Sequence, residues 1–124
     1  MSHDKSAAGV FDQDKALECF DGDMGLLLEI AQVYLTDGPA RFQEIREGLK
    51  RRDASGLERA AHGLRGSLSA LGASLGADAA QALESLAAQG DFPRIEGAVA
   101  ALDREIARLR PVLEGLIKRE GVSG

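Results

Sequence analysis

The sequence predicts an all-α protein: an antiparallel, up-and-down four-helix bundle with a short accessory helix at its N-terminal end. Three observations carry this. Apolar residues recur at helical spacing, most clearly at Ile95, Val99, Leu102, Ile106, Leu109, Leu113 and Leu116, which step by 4, 3, 4, 3, 4, 3. The β-branched and aromatic alternation of strands is scarce, with no tryptophan, one tyrosine and four phenylalanines in 124 residues. Short turn-like stretches separate four substantial segments, and short connections place successive helices antiparallel. The length suits a single domain, expected over 11–119, with flexible ends at 1–10 and 120–124. The core falls to Leu, Ile, Val and Ala. The 15 glycines, nearly twice the usual share of about 7%, need a separate account.

A short leading helix is expected over about Gln13 to Phe20, ahead of Asp21-Gly22-Asp23. The next segment runs from Asp23, a plausible N-cap, to about Arg52, with Leu27, Ile30, Tyr34, Phe42, Ile45 and Leu49 on one face. Thr36-Asp37-Gly38-Pro39 interrupts it, and the residue before a proline avoids the helical region, so it is either one bent helix or two in line. Lys50, Arg51 and Arg52 at its end offset the helix dipole, and Asp53 caps the next helix. That third segment, about Ala54 to Leu71, carries the seam Leu57, Ala61, Leu64, Leu68 and Leu71. A fourth, about Ser74 to Gln89, carries Leu75, Ala79, Ala82 or Leu83, and Leu86, and Gly90-Asp91 ends it. The last runs from about Pro93, tolerated in a first turn, to Arg119, with a kink or break expected at Pro111.

Several functions are excluded. A net charge of −5 lacks the basic face that a nucleic-acid partner requires. Cys19 alone forms no internal disulfide and is expected as a small core residue. No apolar run spans a bilayer and MSHDKSAAGV has no apolar signal region, so a cytoplasmic, membrane-free protein is expected. Asp21 to Gln32 fails as a calcium loop, with Leu26 sixth and Gln32 twelfth. No nucleotide loop, HExxH, CxxC or GxSxG is present, and no metal site is expected.

His62 is the informative residue. At about 100° per residue it lies about 140° from Leu57, whereas Ala61, Leu64, Leu68 and Leu71 fall within about 40° of the core direction. It therefore faces away from the packing stripe, near Glu58, Arg65, Gly66 and Ser69. Gly66 costs about 1 kcal/mol relative to alanine in a helix interior, and Gly63 a similar amount. Two such glycines beside an exposed histidine leave bare space for an approaching group. The bland alternative is a solvated surface histidine.

His62-Gly63-Leu64-Arg65-Gly66-Ser67, followed by Leu71-Gly72-Ala73, resembles the signature of the histidine-containing phosphotransfer (HPt) domains: His, any residue, Leu, Lys or Arg, Gly, Ser, then Leu-Gly-Ala. Phe11-Asp12, Asp21-Gly22-Asp23, Ala82-Leu83-Glu84 and Gly90-Asp91 extend the resemblance over about residues 11 to 115. Arg65 departs from the commoner lysine, keeping the charge but changing its donor geometry.

The resemblance implies a four-helix bundle with an accessory N-terminal helix and a phosphorelay carrier. It makes His62 the phosphoryl acceptor between aspartates of response-regulator receiver domains, one of which can belong to a hybrid sensor histidine kinase. Neutral imidazole is a competent nucleophile near physiological pH. Gly66 would give room for in-line attack and Arg65 would offset phosphoryl charge. Glu84 matches the family position that fixes the ring tautomer, or is an ordinary surface glutamate; Ser69 would hydrogen-bond nearby. A receiver would dock on the surface of Gly63, Glu58 and Ala73. No cofactor is implied for this chain; magnesium would sit on the receiver. The chain would be a monomer without kinase machinery of its own. The alternative is a bundle of the same shape that serves as a non-phosphorylated adaptor.

Overall fold

The computed structural model describes residues 9–121; the expected flexible stretches lie mostly outside them. Within them Val10 is buried and the Gly9 carbonyl accepts from Ser74 Oγ at 3.4 Å, so the packed chain begins earlier than the expected boundary at residue 11. Five helices lie wholly within the described residues: α1 Gln13–Cys19, α2 Met24–Arg51, α3 Ala54–Ala70, α4 Ser74–Gln89 and α5 Phe92–Glu120. The described residues contain no strand.

Each start has a local cause. Asp12, Asp23, Asp53 and Asp91 accept from the main-chain N–H three residues on, capping α1, α2, α3 and α5. Ala73 opens α4 without a side-chain cap. Arg52 and Gly90 end α2 and α4 in the left-handed conformation. Arg52 also stacks over the Phe92 ring at 4.4 Å, tying the α2–α3 turn to the start of α5.

In the packing order α2–α3–α4–α5, each helix lies on the next, and α5 closes back on α2. With only two or three residues between successive members of this set, the chain is an antiparallel four-helix bundle. The core is almost wholly aliphatic: Leu27, Ile45, Leu57, Leu64, Leu68, Leu71, Leu83, Ile95, Leu102, Leu109, Leu113 and Leu116 are fully buried. No described helix is long and apolar enough to cross a membrane.

One open alternative closes and three expectations change. α2 is one continuous helix with Pro39 inside it. An interior proline costs about 3 kcal/mol, but each apolar side chain fully buried returns about 1.5–3 kcal/mol, and Leu27, Ala31, Tyr34, Phe42 and Ile45 are buried on both sides of Pro39. Gly38, expected at a helix end, is mid-helix and buried: the Tyr34 ring passes 3.1 Å from where its Cβ would stand, and its missing Cβ removes part of the clash with Pro39. α5 likewise runs through Pro111 without a break, held by Leu109, Leu113 and Leu116. Cys19 is exposed, because α1 is too short to present more than Ala16 fully to the core.

α2 and α5 have 28 and 29 residues against 17 and 16 in α3 and α4, so they overhang the α3–α4 turn. α1 fills the step. The Asp12 N–H donates to the Gly72 carbonyl at 2.9 Å, and Gly72 takes φ +72 so close beneath this segment that a Cβ would strike the Asp12 carbonyl. The α3–α4 hairpin is thereby fixed at its base, and His62 projects from its middle.

Candidate functional site

α3 sits in the bundle through Leu57, Ala60, Ala61, Leu64 and Leu68, and this stripe turns His62 outward, with 64% of its side chain exposed. On α4, buried Leu83 sets the rotation that brings Glu84 to the groove between the two helices. Glu84 meets two partners there. His62 Nδ1 lies 2.9 Å from Oε2, and Arg65 Nε donates to Oε1 at 2.9 Å. Arg65 Nη2 stands 3.1 Å from the same Nδ1.

The Nδ1 atom cannot hydrogen-bond to both neighbours at once, because a nitrogen that carries a proton does not accept one. The carboxylate decides. Partial burial raises the Glu84 pKa, but hydrogen bonds from His62 and Arg65, with their charge, outweigh it and hold the carboxyl below its ordinary value. An ionised Glu84 accepts, so Nδ1–H donates to it and the Arg65 Nη2 contact is electrostatic packing. In the neutral ring the lone pair is then on Nε2, at the edge turned away from α4. The surrounding space favours use of that atom: a Cβ on Gly66 would meet nothing within 4 Å. Gly66 opens onto a groove of about 360 Å³ between α2 and α3, lined by Phe20, Ile30, Val33, Ala70 and Leu71 among others.

The structure thus brings His62, Arg65, Glu84 and Gly66 together. Glu58 is exposed one turn before His62, on the same helix. Two positions differ. Ser69 is exposed but lies two turns away, roughly 10 Å along the axis, in a hollow with Lys15, Gly72, Ser74, Ala77 and Asp78, and makes no hydrogen bond to His62 or Glu84. Ala73 is 1% exposed and cannot line an outer surface: it follows the Gly72 turn, where the rotation of α3 no longer governs direction. One neighbour escaped the sequence. Arg41 Nη1, from α2, lies 2.9 Å from where a Cβ on Gly63 would stand, beside His62. No motif spacing marks it, because the contact depends on how α2 crosses α3. Among the described residues, no three His, Cys, Asp or Glu side chains gather to hold a metal ion.

Comparison with known proteins places the chain in a family and a fold. The Hpt domain family model matches residues 29–111, two thirds of the chain. The structure superposes on that of histidine-containing phosphotransfer protein B (HptB) from Pseudomonas aeruginosa PAO1 with a TM-score of 0.82 and 23% identity, covering 88% of this chain and 95% of that one. It superposes on the HPT domain of the Hpt sensor hybrid histidine kinase from Shewanella with a TM-score of 0.84 and 17% identity, covering 93% and 99%. No curated sequence matches the chain significantly. At these identities the two structures establish the shared fold; with the family model spanning the helix of His62 and the helix of Glu84, the chain belongs to the Hpt domain family.

Proposed function

We propose that the protein is a phosphorelay carrier in which His62 accepts a phosphoryl group from the phospho-aspartate of one receiver domain and passes it to the aspartate of another. Family membership brings the general role, histidine phosphotransfer. The single observation that supports His62 as the acceptor is its ring: exposed, tied at Nδ1 to an ionised Glu84, and bordered by open space at Gly66.

The step balances. The Nε2 lone pair attacks phosphorus in line, an Nε2–P bond forms, the P–O bond to the aspartyl carboxyl breaks, and the carboxylate leaves with the electron pair. The ring keeps its Nδ1 proton and becomes cationic, and Glu84 beneath Nδ1 offsets that charge, as the buried carboxylate does in a Ser-His-Asp triad. The reverse step returns the ring to neutral. The receiver supplies magnesium and the acidic pocket; this chain supplies the nucleophile, its tautomer and the clearance for approach. The partner would rest on the face of Gly63, Gly66 and Glu58, continuous with the groove beside Gly66.

The experiment is to incubate the protein with a receiver domain loaded from acetyl phosphate and magnesium, and to follow acid-labile, alkali-stable label. Wild-type protein takes up label and His62→Gln protein does not. Label on the variant would remove His62 as acceptor, and none on the wild type with any receiver would favour a non-phosphorylated adaptor.

A further inference from the structure

The two flanks of His62 differ in their free charge. Viewed down α3 at about 100° per residue, Arg65 and Glu58 lie at about −60° and −40° from His62, on the α4 flank. Gly66, Arg59 and Gly63 lie at about +40°, +60° and +100°, on the α2 flank. On the α4 flank the arginine is engaged: Arg65 Nε is bound to Glu84 and Nη2 stands against Nδ1. Its guanidinium is held at the ring edge opposite Nε2. On the α2 flank, neither Arg41 nor Arg59 comes within 4 Å of a carboxylate of the described residues. Glu44 and Glu47 share a groove with both arginines, and Glu47 accepts instead from Gln43.

Arg41 is the better placed of the two, because a second helix delivers it against the backbone of the residue after His62. A side chain at position 63 would displace it, which gives Gly63 a use apart from clearance. A phosphoryl group in transfer spreads its charge over three equatorial oxygens, and a guanidinium offers planar, charge-assisted donors to such oxygens.

We propose that Arg41 is the cation that meets the phosphoryl group on Nε2, while Arg65 is a positioning residue that acts through Glu84 and the ring. This rests on His62 being the acceptor. Arg41 takes no proton and breaks no bond; it stabilises charge where it develops.

The test measures transfer from an acetyl phosphate-loaded receiver domain at increasing receiver concentration, for wild type, Arg41→Gln, Arg41→Lys and His62→Gln. Arg41→Gln is expected to lower the rate at saturating receiver by about tenfold, the scale of one charge-assisted hydrogen bond lost from the transition state. Its half-saturating receiver concentration should move by less than about twofold, its unfolding temperature should stay unchanged, and Arg41→Lys should recover part of the rate. Transfer by Arg41→Gln at the wild-type rate overturns the proposal. So does a change confined to the half-saturating concentration, which would make Arg41 a docking contact, or a failure of lysine to recover any of the loss. Label on His62→Gln would overturn the acceptor itself, whereas an unlabelled His62→Gln with full-rate Arg41→Gln overturns only the role of Arg41.

Discussion

Two arginine–carboxylate pairs tie one helix to another among the described residues, and they differ in almost everything but their chemistry. Arg65 and Glu84 join α3 to α4 in a partly covered groove, with side chains 35% and 22% exposed, and both converge on His62. Arg46 and Asp103 join α2 to α5 at 3.2 Å with side chains about half exposed, and no other described side chain hydrogen-bonds to the pair. Arg46 divides its attention further, standing over the Phe42 ring at 4.9 Å. An exposed pair of this kind contributes roughly 0.2–1 kcal/mol and is screened by salt. The first pair therefore orients the ring of His62, the proposed nucleophile, and the second covers the rim of an apolar groove of about 400 Å³. Geometry around the pair, more than the pair itself, distinguishes function from surface packing.

The most direct way to break the contrast is Glu84→Gln beside Asp103→Asn. The amide keeps the shape at position 84 but no longer favours a proton on Nδ1, and it cannot offset the cationic phosphorylated ring. Transfer should fall at least about tenfold, by analogy with the loss incurred when a triad carboxylate becomes an amide. Asp103→Asn should leave transfer unchanged. Nitrogen NMR of the His62 ring checks the cause, since the Nδ1–H tautomer should lose its dominance in the first variant alone. The pH dependence runs the same way. Glu84 titrates below its ordinary value, so its contribution to folding is complete above the unfolded-state pKa and is lost as pH falls through the folded one.

A smaller effect belongs to the α2–α5 side. Tyr34 is buried with its hydroxyl unpartnered, and burial, opposed by the nearby Arg110 charge, pushes its pKa up to about 12. A raised tyrosine pKa means stability that is complete below the unfolded value near 10 and is lost as pH rises toward 12. Tyr34→Phe should gain up to about 1 kcal/mol at neutral pH, measured by urea unfolding, because it removes an unsatisfied buried donor. It should also flatten the alkaline loss between those two pH values. The smallest effect is the coupling of Arg46 with Asp103: a double-mutant cycle to alanine should give below about 1 kcal/mol, falling with added salt. A larger value would erase the distinction between the two pairs.

Much of the molecule is legible in its sequence. The 4-3 repeat of α5, the caps at Asp23 and Asp53 and the spacing of His62, Arg65 and Gly66 are properties of single helices, and local rules are enough to read them. Glu84 could be reached only through the family resemblance, because nothing in the rotation of α4 says which α3 residue it faces. Ala73 and Ser69 mark where angular reasoning ends. Ala73 stands beyond the left-handed turn at Gly72, and Ser69 shares a flank with His62 but not a height. Pro39 and Pro111 show another limit: local rules leave a bend or a break open at each, and the buried residues before and after each proline hold the helix together.

The sequence by itself determined the helices, their inward faces and the outward direction of His62, because periodicity fixes every side chain about its own axis. The tertiary structure alone decided that Glu84 sits beneath Nδ1, that Arg41 lies on the backbone at Gly63, and that Ala73 and Cys19 exchange their expected exposure. Those depend on the rotation and height of one helix against another, which the summed packing of all the buried stripes sets.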